Sequence, residues 1–177
     1  VEIDRMELLF VHLTKTVGSV LSINSLREDL DVSFGTVKNW LSILENIDAI
    51  FRISPFGPAR IKAVKKEQKL YFWDWARVET EGSRFENMVA MHLLRFVDWQ
   101  RDIEGEKWEL RYFRHREGRE VDFILMYKGK PWIAVETKLS DSTLSPSLKY
   151  LLERVEIPYA FQVTAKEEKS KRMADIG

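Results

Sequence analysis

Apolar positions in the first part of the chain recur at the three- and four-residue spacing of amphipathic helices. The stretch RMELLFVHLTKTVG, residues 5–18, has this spacing and ends in glycine, which predicts a helix. A second helix is predicted in NSLREDL, residues 24–30, and a third in FGTVKNWLSILEN, residues 34–46, with Ser33 as its cap. Two helices joined by so short a turn are typical of a helix-turn-helix.

Strand-like sequence follows the third helix. AIFRIS, residues 49–54, and QKLYFWDW, residues 68–75, are predicted to pair as a hairpin, with PFGPAR in the loop between them. This hairpin would be the wing of a winged helix-turn-helix domain over residues 1–76. The polar stretch ARVETEG is the predicted boundary, and a second domain is predicted over residues 77–177.

In the second domain the apolar pattern changes between the period of helices and that of strands. The predicted elements are the helix SRFENMVAMHLLRFVDW, the strand WELRYFRH, two strands within EVDFILMYKGKPWIAVETKLS, the helix SPSLKYLLERV and the strand YAFQVTA. This α-β-β-β-α-β order indicates a mixed sheet with helices packed against it, so the predicted fold class is α/β of the α+β kind.

Three charged residues interrupt the apolar strands of residues 120–140. Asp122 lies in the first strand, and Glu136 and Lys138 lie in the second, where they share a face because strand side chains alternate. A two-residue loop between the strands places Asp122 opposite Val135 and away from Glu136. A three-residue loop places Asp122 directly opposite Glu136, and the sequence leaves both loops open.

The three-residue loop would bring the Cβ atoms of Asp122 and Glu136 within about 5.5 Å of each other. Two carboxylates at that separation repel unless a cation lies between them, and Mg²⁺ prefers such oxygen ligands. A bound Mg²⁺ activates water and neutralises charge that develops on a phosphate. Asp122 and Glu136 are therefore the predicted metal ligands, and Lys138 is predicted to orient the water or stabilise the phosphate.

Glu86, in the helix that opens the second domain, is the predicted third anchor of this site. An alternative is equally open, because Ser83 and Glu86 have the spacing of a capping box, in which Glu86 only caps its own helix. For Asp122 and Glu136 the alternative is a solvent-exposed strand face, which their apolar neighbours disfavour.

The arrangement of Asp122, thirteen intervening residues and Glu136-Thr137-Lys138, with Glu86 in the preceding helix, resembles the PD-(D/E)XK nuclease superfamily. That superfamily has the same α-β-β-β-α-β core order. Several ordered motifs also resemble the DUF4143 family, the C-terminal region of a group of prokaryotic P-loop ATPases. These motifs are SINSLREDLDVSFGTVKNWLSILENI, KLYFWDWA, GSRFENMVAMHLL, REVDFIL and VETKLS.

The resemblance implies a winged helix followed by a nuclease-like domain in a longer protein. The chain contains no GxxxxGK[ST] motif, and it starts without Met inside a predicted helix. We therefore expect an excised region that binds no ATP itself and whose partner is the P-loop ATPase domain of the same polypeptide.

The charge balance gives no case for nucleic acid or membrane binding by the whole chain, because 28 basic residues cancel 28 acidic ones. Two local basic patches are predicted to hold nucleic-acid backbone weakly, against the alternative of ordinary solvated charge. They consist of Arg60, Lys62, Lys65, Lys66, Arg114, Arg116 and Arg119. The chain has no cysteine and no apolar run near the roughly 20 residues that span a bilayer, so a cytoplasmic protein without a membrane partner is predicted.

The third helix lacks the basic and amide side chains of a typical DNA-reading helix. It offers Lys38 and Asn39, while Trp40 and Ile43 favour contact with a protein partner. Two functions stay open. One is a Mg²⁺-dependent nuclease that hydrolyses DNA at the predicted site, and the other is a noncatalytic regulatory or interaction module of the ATPase with a degenerate nuclease fold.

Overall fold

The computed structural model describes residues 2–57, 67–115, 117–140 and 143–166. The helices in these ranges are α1 (Glu2–Lys15), α2 (Ile23–Asp29), α3 (Phe34–Asn46), a 3₁₀ helix (Trp75–Arg77), α4 (Glu81–Glu104) and α5 (Pro146–Leu152). The strands are β1 (Ile50–Pro55), β2 (Lys69–Phe72), β3 (Trp108–Arg114), β4 (Glu120–Tyr127), β5 (Lys130–Lys138) and β6 (Tyr159–Thr164). The predicted order α-β-β-β-α-β is the one observed from α4 to β6.

The described strands form one six-stranded mixed sheet in the order β2-β1-β3-β4-β5-β6. β1 pairs with β2, β3 with β4 and β4 with β5 in antiparallel fashion, whereas β1–β3 and β5–β6 are parallel pairs. The mixed α+β fold class is therefore confirmed. The parallel strands β5 and β6 are joined through α5, because parallel neighbours need a crossover connection rather than a tight turn.

Two clusters of buried apolar side chains lie on the two faces of the sheet. The larger cluster joins α1, α2 and α3 to β1, β2 and the inner face of α4, and it includes Phe123 and Val135 of the central strands. The smaller cluster contains Leu148 and Leu151 of α5 together with Ala134 of β5. We call these two sides the α4 face and the α5 face.

The sheet continues across the predicted domain boundary at residues 76 and 77. β1 pairs with β3 through Ser54–Arg111 and Pro55–Tyr112. The side chain of Asn87 in α4 also binds the backbone of Phe72 in β2, accepting from its N–H at 2.8 Å and donating to its carbonyl at 2.6 Å. The hairpin predicted as a wing thus shares both a sheet and a core with the second part of the chain. The division into two domains stays a prediction.

The β4–β5 hairpin has a two-residue loop, Lys128-Gly129, in which both residues have positive φ. This is the conformation of a tight turn of type I′. A β-bulge then adds Trp132 to β5, so Leu125 pairs with Ile133 and Phe123 with Val135. Continuing that register by one step places Asp122 across from Glu136. The loop is thus the two-residue alternative, and the extra residue that aligns Asp122 with Glu136 lies in the strand.

The structure corrects two details of the predicted helices. Thr80, not Ser83, is the N-cap of α4, because its hydroxyl accepts from the N–H of Ser83 at 3.4 Å. Glu86 therefore lies within the helix and does not complete a capping box with Ser83. Trp40 in α3 is buried in the core and does not offer a surface for a partner. Among the described helices, none has both the length and the apolar character needed to cross a membrane.

Candidate acid–lysine site

Glu136 lies near the end of β5 and is only 4% exposed. Its Oε1 accepts hydrogen bonds from Lys138 Nζ at 2.8 Å and from the hydroxyl of Ser145 at 2.9 Å. Ser145 is also the N-cap of α5, since its hydroxyl accepts from the N–H of Leu148. The second oxygen, Oε2, is buried and has no hydrogen-bond partner among the described residues, which do not include residues 141 and 142. One oxygen of this carboxylate is therefore held firmly while the other has unused acceptor capacity.

Asp122 lies at a second β-bulge, where Asp122 and Phe123 of β4 stand against the single residue Tyr112 of β3. Bulges redirect side chains and are frequent beside functional sites. Asp122 Oδ2 accepts from the backbone N–H of Thr137 at 2.8 Å and from its hydroxyl at 2.7 Å. The middle residue of the Glu-x-Lys triplet therefore fixes the aspartate.

The two carboxylates are held from different faces of the sheet, although they are opposite each other in register. Strand alternation puts Thr137 on the side of Val135, which is the α4 face, and Glu136 on the side of Ala134, which is the α5 face. The hydrogen bonds agree, because Asp122 is bound to Thr137 and Glu136 to Ser145. The register alone would place both side chains on one face. The bulge at Asp122 turns the aspartate side chain to the α4 face instead.

Glu86 projects from α4 toward β2. Its Oε1 accepts from the hydroxyl of Tyr71 at 2.8 Å and lies 3.6 Å from Lys69 Nζ. Lys69 is 1% exposed and also forms an ion pair with Glu120 at the start of β4. Burial lowers the pKa of Lys69, but Glu86 and Glu120 outweigh burial and raise that pKa above its ordinary value. The lysine is therefore a buried cation.

Electrostatic repulsion acts between Asp122 and each of the carboxylates of Glu86 and Glu136. Burial is the largest cause that raises the pKa of Glu136, and the charge of Asp122 is the next. Burial and then Asp122 also raise the pKa of Glu86, against the opposing effects of Lys69 and Tyr71. The cluster contains four carboxylates, of Glu86, Glu120, Asp122 and Glu136, and two ammonium groups, of Lys69 and Lys138. Four minus two leaves an excess of two negative charges when all six groups are ionised.

The donor set can be compared with the needs of a divalent cation. Within the described parts of the chain, no three His, Cys, Asp or Glu side chains are grouped so that they could hold a metal ion together. Mg²⁺ does not need such a group, because it is often bound by one or two carboxylates and keeps several waters. The free Oε2 of Glu136, the nearby charge of Asp122 and the excess of two negative charges fit such an ion.

Comparison with known families identifies the family of the chain but assigns it no activity. A family described as a domain of unknown function, DUF4143, matches residues 81–176, more than half of the chain. The chain belongs to the DUF4143 family. A second domain of unknown function, DUF8612, matches residues 1–78, so the two matched regions meet close to the predicted boundary.

A relative supports a distant kinship for the DUF4143 chain. The uncharacterized protein MJ1637 of Methanocaldococcus jannaschii is 28% identical over 166 residues, a match that covers 86% of this chain and 33% of that protein. The chain therefore spans about one third of the relative's length. No solved structure matches this chain.

The structure places part of the predicted basic patches at one end of the sheet. Arg114, at the end of β3, is exposed and pairs in register with Glu120. Arg119 directly precedes β4, and its guanidinium lies 4.5 Å from the ring centre of Tyr150 in α5. The other predicted residues of these patches lie outside the described residues; they are Arg60, Lys62, Lys65, Lys66 and Arg116.

Three residues of the acid–lysine site are not predicted from the sequence to belong to it. Lys69 and Tyr71 alternate in KLYF and so point to the same side of β2, and a lysine on the inner side of an apolar strand signals a buried acidic partner. Ser145 precedes Pro146, a pairing typical of a helix start. These local signals identify the residues but do not identify Glu86, Glu120 and Glu136 as their partners.

Proposed function

We propose that this chain is a nuclease-like region that hydrolyses phosphodiester bonds of DNA with the help of a divalent cation. The observation that carries the proposal is the carboxylate of Glu136. One of its oxygens is held by Lys138 and Ser145. The other is buried near the charge of Asp122 and has no hydrogen-bond partner in the part of the chain that the structure describes. A buried acceptor without a partner is costly in the protein alone and is relieved by a bound cation.

Asp122 and Glu136 would hold the ion, with Mg²⁺ as the proposed metal. When bound, the metal activates a water molecule and neutralises charge on the phosphate. The side chain of Lys138 is 38% exposed, and its ammonium group keeps Glu136 in place. The same group would contact a phosphate oxygen or the attacking water. Thr137 fixes Asp122 through two hydrogen bonds. Glu86 would support the site from α4.

A second candidate function is a noncatalytic module with a degenerate nuclease fold. The observation that favours it is the buried ammonium group of Lys69, which lies between Glu86 and Glu120. The charge of Asp122 also raises the pKa of this lysine. An internal cation in this position neutralises acids that a metal would otherwise neutralise. The anchoring of Asp122 and Glu136 from different faces favours the same candidate, because a shared ion would need both side chains to turn toward it.

The first test is titration of the whole chain with MgCl₂ or MnCl₂ by calorimetry. We expect binding by the wild type and its loss in Asp122→Asn and Glu136→Gln. Asp98→Asn, which changes a carboxylate of α4 paired with Arg101, is the matched control and should bind as the wild type does. Absence of metal binding by the wild type would contradict the catalytic proposal.

The second test is cleavage of single-stranded, duplex and branched DNA in the presence of Mg²⁺. Glu136→Gln, Asp122→Asn and Lys138→Met should each lower the rate by about 100-fold or more, the loss typical of removing a charge-stabilising group. Activity that survives Glu136→Gln would come from a contaminant. If the wild type neither binds metal nor cleaves DNA, and Lys69→Met gains Mg²⁺ binding, the second candidate is the better description.

We also propose, from the family resemblance, that the parent protein is cytoplasmic and carries a P-loop ATPase domain, with α1–α3 and the β1–β2 hairpin as a winged-helix docking surface for protein. Phe34, Ile43 and Ile47 support the docking role because they are exposed apolar residues of α3 and its end. In the full-length protein, Ile43→Glu with Ile47→Glu should reduce the coupling between ATP hydrolysis and this region. Unchanged ATPase rates and unchanged association would contradict the docking role.

A further inference from the structure

Tyr150 in α5 organises two arginine side chains on the molecular surface. The guanidinium carbon of Arg154 lies 3.8 Å from the centre of its ring, and that of Arg119 lies 4.5 Å from it. The ring of His115 is also near, with its centre 5.5 Å from that of Tyr150. Arginine stacks on aromatic rings through its planar charge, so the tyrosine limits the freedom of both guanidinium groups.

The two arginines keep exposed hydrogen-bond donors. The side chains of Arg119 and Arg154 are 43% and 52% exposed. Arg119 is 3.8 Å from Glu117, and Arg154 is 3.1 Å from Glu153, but both acids are exposed as well. Exposed ion pairs of this kind contribute little to stability, so a phosphate can replace these carboxylates as partner.

Helix α5 and the start of β4 connect the arginine pair to the acid–lysine site. Ser145, which binds Glu136, caps the start of α5, and Tyr150 follows five residues later, about 7.5 Å along the helix axis. Arg119 comes directly before Glu120, where β4 begins. A polyanion that runs along this surface therefore has cationic contacts at one side of the candidate site.

We propose that Arg119 and Arg154, held by Tyr150, bind the phosphate backbone of a nucleic-acid strand and position it beside Glu136. This proposal rests on the proposed nuclease-like function and names its contact surface. Bidentate guanidinium groups match phosphate oxygens, whereas the tyrosine ring is already covered by arginine and is not offered to a base. The contact is therefore one of charge and position, without sequence preference.

The test measures binding of the whole chain to fluorescent single-stranded and duplex DNA by anisotropy. EDTA is present throughout, so metal and cleavage do not contribute. Arg119→Glu, Arg154→Glu and Tyr150→Ala should each weaken binding several-fold. For duplex DNA, the slope of log affinity against log salt should become shallower by about 0.9 for each phosphate that a variant no longer neutralises. Tyr150→Phe keeps the ring and should bind as the wild type does.

Arg101→Glu is the matched control, because Arg101 is an exposed arginine of α4 paired with an acid on its own helix. The proposal is overturned if Arg154→Glu and Arg101→Glu have the same effect, or if the wild type does not bind DNA. It is also overturned if polyglutamate binds with the same sensitivity to these variants, since the surface would then accept acidic protein. If Arg154→Glu unfolds, Arg154→Gln takes its place.

The experiments distinguish an error in the proposed DNA-binding surface from an error in the proposed nuclease activity. Binding that depends on Arg119 and Arg154 without any cleavage in Mg²⁺ supports the surface and contradicts the nuclease. Cleavage that is the same in the wild type and in Arg119→Glu/Arg154→Glu supports the nuclease and contradicts the surface.

Discussion

Gly18, in the turn after α1, leaves room for the carboxylate of Glu86. A Cβ atom at this position would lie 2.7 Å and 2.8 Å from the two carboxylate oxygens of Glu86, and the φ of Gly18 is +75°. The backbone conformation therefore favours glycine, and an added Cβ would displace the carboxylate of Glu86. The turn after α1 therefore packs against Glu86 of the candidate site.

We expect Gly18→Ala to destabilise the protein by about 2–4 kcal/mol. Positive φ accounts for about 1–2 kcal/mol, and the displaced Glu86 adds the weakening of its charged hydrogen bond from Tyr71. Gly129→Ala is the matched control, with φ of +79° and nothing within 4 Å of an added Cβ. Urea unfolding of both variants measures the difference, and equal losses would contradict crowding against Glu86.

The buried carboxylate of Glu136 predicts a pH dependence of stability in metal-free buffer. Burial and Asp122 raise its pKa in the folded protein above the ordinary 4.5. The folded state then binds its proton more tightly than the unfolded state, so its contribution to the free energy of unfolding is greatest below pH 4.5 and falls as pH rises through the folded pKa.

Glu136→Gln cannot ionise and lacks this dependence. We therefore expect the free energy of unfolding of the variant, relative to wild type, to shift in favour of the variant as pH increases above about 4.5. Urea titrations in EDTA at several pH values measure the difference. A relative stability that is flat with pH, or that moves in favour of the wild type, would show that Glu136 does not carry a raised pKa.

At the scale of the elements, α4 holds the edge strand β2 through Asn87. Its amide makes two hydrogen bonds to the backbone of Phe72, and Asn87 is completely buried. Loss of the amide leaves a buried N–H and a buried carbonyl without partners, each costing about 1–3 kcal/mol. The link between the helix and this strand is therefore polar and specific as well as apolar.

Asn87→Ala should lower the free energy of unfolding by about 2–5 kcal/mol for that reason. Asn39→Ala, at an exposed position in α3, is the control and should change it by no more than about 0.5 kcal/mol. Chemical denaturation gives both values. Amide exchange in β2 that is as slow in Asn87→Ala as in wild type would contradict the anchoring role.

The elements were more predictable from the sequence than the faces of their residues. Apolar periodicity places the helices and strands, because burial of an apolar stripe is a local property of the chain. The bulges at Asp122 and Trp132 follow from pairing between strands, so alternation within one strand does not reveal them. For this reason the sequence predicts that Asp122, Glu136 and Lys138 lie close together, but it does not show that the two acids are anchored on different faces or that Lys69 takes part.

At the scale of the whole molecule, one sheet and one main core connect the two sequence regions. Buried residues of α1 and of β2 belong to the same cluster as those of α4 and β3. Lys69 adds an ionic contact, because it lies in the first region and its partners Glu86 and Glu120 lie in the second. The two regions therefore stabilise each other.

We expect the chain to unfold in a single cooperative transition. Differential scanning calorimetry should give equal calorimetric and van't Hoff enthalpies, the signature of two-state unfolding. Lys69→Met should lower the temperature of that transition without splitting it. Two separate transitions in the wild type would instead show that residues 1–76 and 77–177 are independent domains.

The Trp132 bulge has a consequence for recognising distant relatives. Deleting Trp132 would leave a regular hairpin with the same Lys128-Gly129 loop, and Phe123 would still pair with Val135. Twelve residues between the aspartate and the glutamate therefore give the same alignment as the thirteen present here. Sequence searches that fix this interval at one length would miss homologues in which the hairpin is one residue shorter but the two acids are still opposite each other in register.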